Sequence, residues 1–149
     1  MIVKQIRSSD GTGTLSYLII DDTTNKAVII DPNLEDIQKI GYMIAELNTE
    51  LVYVIDTHTH ADHISAAGEL KRIYGSELIM HENTKNKWKV VDEGDKFGIG
   101  DILRANASNE PDKYIDNGDI INAGTLSLVS LRMWKFIPGT TMRIIFIQF

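Results

Sequence analysis

The short apolar run Leu51–Ile55 is followed almost directly by His58-Thr59-His60-Ala61-Asp62-His63, which holds three of the four histidines in the chain. This junction constrains the fold more than any other stretch. A run so short and so uniformly apolar is expected of a strand buried on both faces, as in a parallel sheet covered on each side. The histidines and the carboxylate then stand at the C-terminal end of that strand, where open α/β sheets present their sites.

The flanking sequence supplies the other layers. Met1–Ile6, Leu15–Ile20 and Ala27–Ile30 read as strands, separated by Gly11 and Gly13 and then by Thr23-Thr24-Asn25. Gly11 and Gly13 fall between strands, so they mark a loop and not a dinucleotide fingerprint. After Asp31-Pro32-Asn33, the residues Leu34, Ile37, Ile40, Ile44 and Leu47 recur at helical spacing and predict a helix over about 34–47. Ser65 is placed to cap a second helix, with Ala66, Ala67, Leu70, Ile73 and Tyr74 on its buried side and Gly75 ending it. Glu77–Met80 returns as a strand. The alternation predicts an α/β domain.

From His81 to about Asp119 the chain is polar and is expected to form short helices and loops along one rim. Asn117-Gly118 marks a tight turn, after which Ile120–Ile121 and Thr125–Leu131 read as strands of a second sheet, with Met142–Phe149 as a last strand. At 149 residues the chain is expected to form one domain. No segment reads as an export signal or reaches transmembrane length, and the expected location is cytoplasmic. The net charge of −6 argues against a nucleic-acid partner.

The 58–63 cluster carries the chemistry. Alternate residues of an extended segment point the same way, so His58, His60 and Asp62 can converge, while His63 needs a turn to join them. With no cysteine, thiolate sites and cysteine nucleophiles are excluded. Nitrogen and oxygen donors suit zinc or iron, and also manganese. Asp62 is the expected catalytic carboxylate, either as a ligand to a second metal or as the group that orients an attacking hydroxide.

The run Thr57-His58-Thr59-His60-Ala61-Asp62-His63, followed by Ser65-Ala66-Ala67-Gly68, resembles the His-x-His-x-Asp-His motif of the metallo-β-lactamase superfamily. Tyr17–Ile20 with Ala27–Pro32 is similar to the first hairpin of that family. Within it, the motif is similar to those of glyoxalase II enzymes and, more closely, persulfide dioxygenases. The resemblance implies an αββα sandwich with its metals at one edge, acting on small thiol-derived substrates such as glutathione thioesters or persulfides. In dinuclear members, His58 and His60 would bind one metal, and Asp62 and His63 the other. In mononuclear iron members, His58 is the counterpart that binds.

The resemblance weakens toward the C-terminus. The family's next ligand is a histidine in a Pro-Gly-His-Thr segment, whereas this chain reads Pro138-Gly139-Thr140-Thr141. All 21 acidic residues lie at or before Asp119, so residues 132–149 form an atypical, acid-free tail. The expectation is an αββα sandwich with its first half complete and its second half truncated, partial metal occupancy and little activity. The apolar segment Ile144–Ile147 would then offer an open strand edge for pairing with a second copy.

Other candidates read more plainly. His81 is expected to be a surface or capping histidine, and Lys85, Lys87 and Lys89 a solvated face. Asp31 closes a strand at the predicted active edge, with support of the metal loop and simple turn formation both open. Asn106-Ala107-Ser108 matches a glycosylation acceptor but is discounted for want of an export signal. Trp88 and Trp134 are expected to be packing residues.

Overall fold

The computed structural model describes residues 1–60, 63–86, 110–132 and 143–148. Six strands form the main sheet in the order of the chain: β1 (Ile2–Arg7), β2 (Leu15–Ile20), β3 (Lys26–Ile30), β4 (Glu50–Asp56), β5 (Glu77–His81) and β6 (Lys113–Ile115). The first three run antiparallel as a meander, and β3 through β6 run parallel. Parallel neighbours need crossovers. Helix α1 (Ile37–Glu46) joins β3 to β4, and α2 (Ala67–Tyr74) joins β4 to β5. The C-terminal ends of β3, β4 and β5 therefore lie along one edge.

Local chemistry sets these boundaries. The side chain of Asn33 accepts from the backbone N–H of Glu35 at 3.0 Å, starting a single 3-10 turn over Leu34–Asp36 that leads into α1. Gly75 ends α2 with φ +68° and donates its N–H to the carbonyl of Lys71. The α2 start differs slightly from expectation. The Ser65 hydroxyl does accept from the N–H of Ala67, at 3.0 Å, but Ala66 occupies the position before the helix.

The sheet is buried on both faces along β3, β4 and β5. Toward the helices, Leu18, Ile29, Val54 and Leu78 pack with Ile40 and Ile44 of α1 and Leu70 of α2. Toward the other side, Ile19, Val28, Ile55 and Ile79 pack against Ile121, Ala123, Leu126 and Leu128. The latter four belong to a second antiparallel sheet of β7 (Ile120–Ala123), β8 (Leu126–Arg132) and β9 (Arg143–Gln148). A register shift between Ala27 and Val28 leaves Val52 as an extra residue of β4, and both Val52 and Tyr53 pack on the second-sheet side.

The layers among the described residues are thus helices, sheet, sheet. β6 was not expected from the polar 81–119 stretch. It is held by Asp112, whose carboxylate accepts from the N–H of Leu78 at 2.8 Å and pairs with Lys71 at 2.7 Å. The two sheets are also tied at the end away from the histidines. Asp21, directly after β2, accepts from Thr24 Oγ1 at 2.6 Å, from the N–H of Thr125 at 2.6 Å and from Thr125 Oγ1 at 2.9 Å. Among the described residues, no helix is long and apolar enough to cross a membrane.

Candidate metal centre

Two of the parallel strands end in an aspartate, and the histidine segment is folded onto both. Asp31 follows β3 with φ +48°, a left-handed backbone uncommon for any residue but glycine. Its N–H donates to the carbonyl of Ile55 at 2.8 Å, and its own carbonyl accepts from Ser16 Oγ at 2.7 Å. So held, the side chain reaches across to the segment leaving β4. It accepts from the N–H of Thr57 at 2.7 Å and from Thr57 Oγ1 at 2.6 Å, and lies 3.2 Å from His60 Nε2.

Asp56, the last residue of β4, lies 3.7 Å from the same His60 nitrogen and accepts from Ser65 Oγ at 2.9 Å. Ser65 pairs in turn with Asn33 through an isolated β-bridge. The N–H groups of Leu34 and Ala66 donate to the carbonyls of Ile64 and Pro32, at 2.9 and 2.8 Å. These bonds stitch the segment after β3 to the segment before α2, and bring His63 back beside His60.

The rings form a cluster. The centroids of His58 and His60 are 4.2 Å apart, and those of His60 and His63 are also 4.2 Å apart. His60 and His63 are buried, whereas His58 is exposed. One donor atom from each of Asp31, His58 and His60 lies within 4.8 Å of the others. Asp62 lies outside the described residues.

Electrostatics follow from this packing. Burial pushes the His60 imidazole down, but hydrogen bonds to Asp31 and Asp56 and their negative charges outweigh it, raising it to about 10. Burial pushes the Asp31 carboxyl up, yet the bond and charge of His60 and the two bonds from Thr57 hold it below its ordinary value. Nε2 of His60 faces both carboxylates, so that nitrogen carries a hydrogen and the pair of carboxylates favours the charged ring.

The donor set fits a borderline cation of the zinc or iron kind: imidazole nitrogens, carboxylate oxygens and no thiolate. Such a cation, with bonds of about 2 Å, holds its donors roughly 3–4 Å apart, a spacing to set beside the 4.8 Å that contains the donor atoms of Asp31, His58 and His60.

The other candidates fall elsewhere. His81 is buried, not on the surface, and acts as a cap: Nδ1 accepts from the N–H of Asn83 at 3.0 Å, and Nε2 meets Asp116 Oδ1 at 3.1 Å. Lys85 is exposed and lies 5.0 Å from the centroid of the Tyr114 ring. Lys87, Trp88, Lys89, Asn106, Trp134 and Pro138–Thr141 lie outside the described residues. The sequence reading passed over Asp56 and the part played by Thr57. A signal for Asp56 was present: both apolar strands close on an Ile-Asp pair, at Ile30-Asp31 and Ile55-Asp56.

Helices on one face of a mixed sheet, a second sheet on the other, and a histidine cluster at the strand ends define a layered α/β scaffold with its site on one edge. The chain belongs to the metallo-beta-lactamase superfamily, whose family model matches residues 9–149. It is similar to the mitochondrial persulfide dioxygenase ETHE1 of Homo sapiens, 29% identical over 126 residues that cover 85% of this chain and 41% of the relative. It is also similar to the hydroxyacylglutathione hydrolase of Pelagibacter ubique, 34% identical over 77 residues, 52% of this chain and 31% of that one. Among solved structures, ETHE1 of Myxococcus xanthus matches with a TM-score of 0.68 at 30% identity, covering 88% of this chain and 48% of that one. The chain thus spans less than half the length of these relatives.

Proposed function

We propose that His58, His60 and His63, together with Asp62, hold a zinc or iron cation (manganese being the further option), and that the centre serves a metal-dependent enzyme. The substrate class is a small glutathione-like thioester or persulfide, as the names of the persulfide dioxygenase and hydroxyacylglutathione hydrolase relatives suggest. One observation carries the reading: three imidazoles are in ring contact at the sheet edge, two of them buried, beside the carboxylates of Asp31 and Asp56. Clustering imidazoles gains nothing for packing that apolar side chains would not supply better, but it is what binding a cation requires.

When bound, such a cation supplies Lewis acidity or oxygen chemistry to the substrate. The chain's own residues do the positioning. Asp31 orients His60 and the backbone at Thr57, and Asp56 orients His60 and Ser65. Both oxygens of Asp31 are engaged by Thr57 and one also faces His60, which suits it to support the cluster from behind. Asp62, between His60 and His63 in sequence, is assigned as the catalytic carboxylate.

A second reading, a non-catalytic domain that holds a metal weakly and associates with itself or a partner, is favoured by one specific feature. Thr140 stands where the family motif carries a histidine. The place for a second copy would be β9, at one edge of the three-stranded sheet.

Turnover separates the two. Iron-loaded protein is expected to consume oxygen with glutathione persulfide, or zinc-loaded protein to hydrolyse a hydroxyacylglutathione, and His58→Ala to abolish either activity. Saturating metal without turnover on either substrate would rule out the enzyme in favour of the second reading.

A further inference from the structure

His81 closes β5 at the edge where β3 and β4 also end, and both of its ring nitrogens are engaged. Nδ1 accepts the N–H of Asn83 at 3.0 Å and so caps the 3-10 segment Glu82–Asn86. Nε2 lies 3.1 Å from Asp116 Oδ1, directly after β6. An amide N–H only donates, so Nδ1 holds a lone pair; the ring is then neutral, with its hydrogen on Nε2 facing the carboxylate. A proton added to this ring has only Nδ1 to occupy, and a hydrogen there confronts the hydrogen of Asn83. The cap and the charged ring exclude each other.

We propose that His81 is a proton-operated latch on the rim of the sheet. As a neutral ring it ties the start of residues 82–86 to the end of β6; as a charged ring it keeps Asp116 and lets Asn83 go. The latch is closed above the titration of His81 and open below it. Among the described residues, Asp116 is the charged group that meets the ring, and it favours the charged form. Asp119 takes the N–H of Asp116 at 2.8 Å, while Asp56 on β4 is turned toward His60 and Ser65. On the capped segment Glu82 and Lys85 are exposed, with Lys85 at 5.0 Å from the Tyr114 ring of β6. Release is confined to the first turn, because Thr84 Oγ1 donates to the His81 carbonyl at 2.6 Å, a bond that the ring's charge leaves in place. The latch needs neither the 58–63 cluster nor a metal.

The test is 15N NMR of the full chain from about pH 8 to about pH 5, bracketing the ordinary histidine value of about 6.5. It follows the His81 ring nitrogens and the protection factor of the Asn83 amide, in the wild type and in His81→Asn, whose side-chain oxygen caps without titrating. At pH 8 the wild-type ring is expected to carry its hydrogen on Nε2. As the ring gains its second hydrogen, protection of the Asn83 amide is expected to fall about 10-fold with the same midpoint. His81→Asn is expected to keep its protection throughout. A hydrogen on Nδ1 at pH 8, or a ring that does not titrate in this range, would overturn the latch. So would Asn83 protection that stays constant or follows another histidine's midpoint, and these wild-type readings decide even if the variant fails to fold. An equal loss of protection in folded His81→Asn would also overturn it.

Discussion

Asp21 and Asp31 are each the first residue after a strand, and each takes hydrogen bonds from threonine hydroxyls and backbone N–H groups, but at opposite ends of the sheet. Asp31 organises histidines; Asp21 latches the second sheet to the first. The hydroxyl of Thr24 and then the N–H of Thr125 hold the Asp21 carboxyl well below its ordinary value, against the opposing effect of burial. A depressed folded-state pKa means that the contribution is fully present above the unfolded value of 3.8 and shrinks as pH falls below it toward the folded value. Urea midpoints measured from about pH 5 down to about pH 3 should therefore fall more for the wild type than for Asp21→Asn. Parallel declines would contradict the latch. Little of this was legible in sequence, because Asp21 and Thr125 lie 104 positions apart and no local pattern links them. His58, His60 and His63 stood out because their spacing is local. The supports at Asp56 and Thr57 did not, since a strand-end aspartate and a threonine are ordinary until the fold brings the histidines onto them.

At the scale of elements, the β7–β8 turn packs against the turn between β2 and β3. Gly124 has φ +67°, and a Cβ placed there would collide with Thr24 Oγ1 and Asp21 Oδ2. Gly118 is also left-handed, at φ +89°, but a Cβ there meets nothing within 4 Å. Gly118→Ala should cost only the backbone strain, about 1 kcal/mol, while Gly124→Ala should cost about 2–4 kcal/mol by adding the clash. Urea unfolding of the two variants checks the difference; equal losses would show that the turn is not packed against Asp21 as described. Most elements were legible, and for identifiable reasons. Leu34, Ile37, Ile40, Ile44 and Leu47 give α1 its face, and Gly75 stops α2. β6 escaped because Lys113-Tyr114-Ile115 is too short for any period to show, and because Asp112 and the neighbouring strand hold it in place.

At the scale of the molecule, the helix, sheet, sheet layering explains why the histidines stand where they do. Burying both faces of β3, β4 and β5 leaves their C-terminal ends as the place where polar side chains can gather without interrupting a core. The cluster and its carboxylates are contained within residues 31–65 of a chain that spans 41% and 31% of the persulfide dioxygenase and hydroxyacylglutathione hydrolase relatives. A metal held by this cluster is what the proposed function requires. Its most direct test is metal content, by mass spectrometry of protein purified without chelator and of protein dialysed against zinc or iron. At least one zinc or iron per chain is expected after dialysis, with its loss in folded His58→Ala, His60→Ala and His63→Ala variants. Metal-free wild type under those conditions, or undiminished metal in the variants, would contradict it.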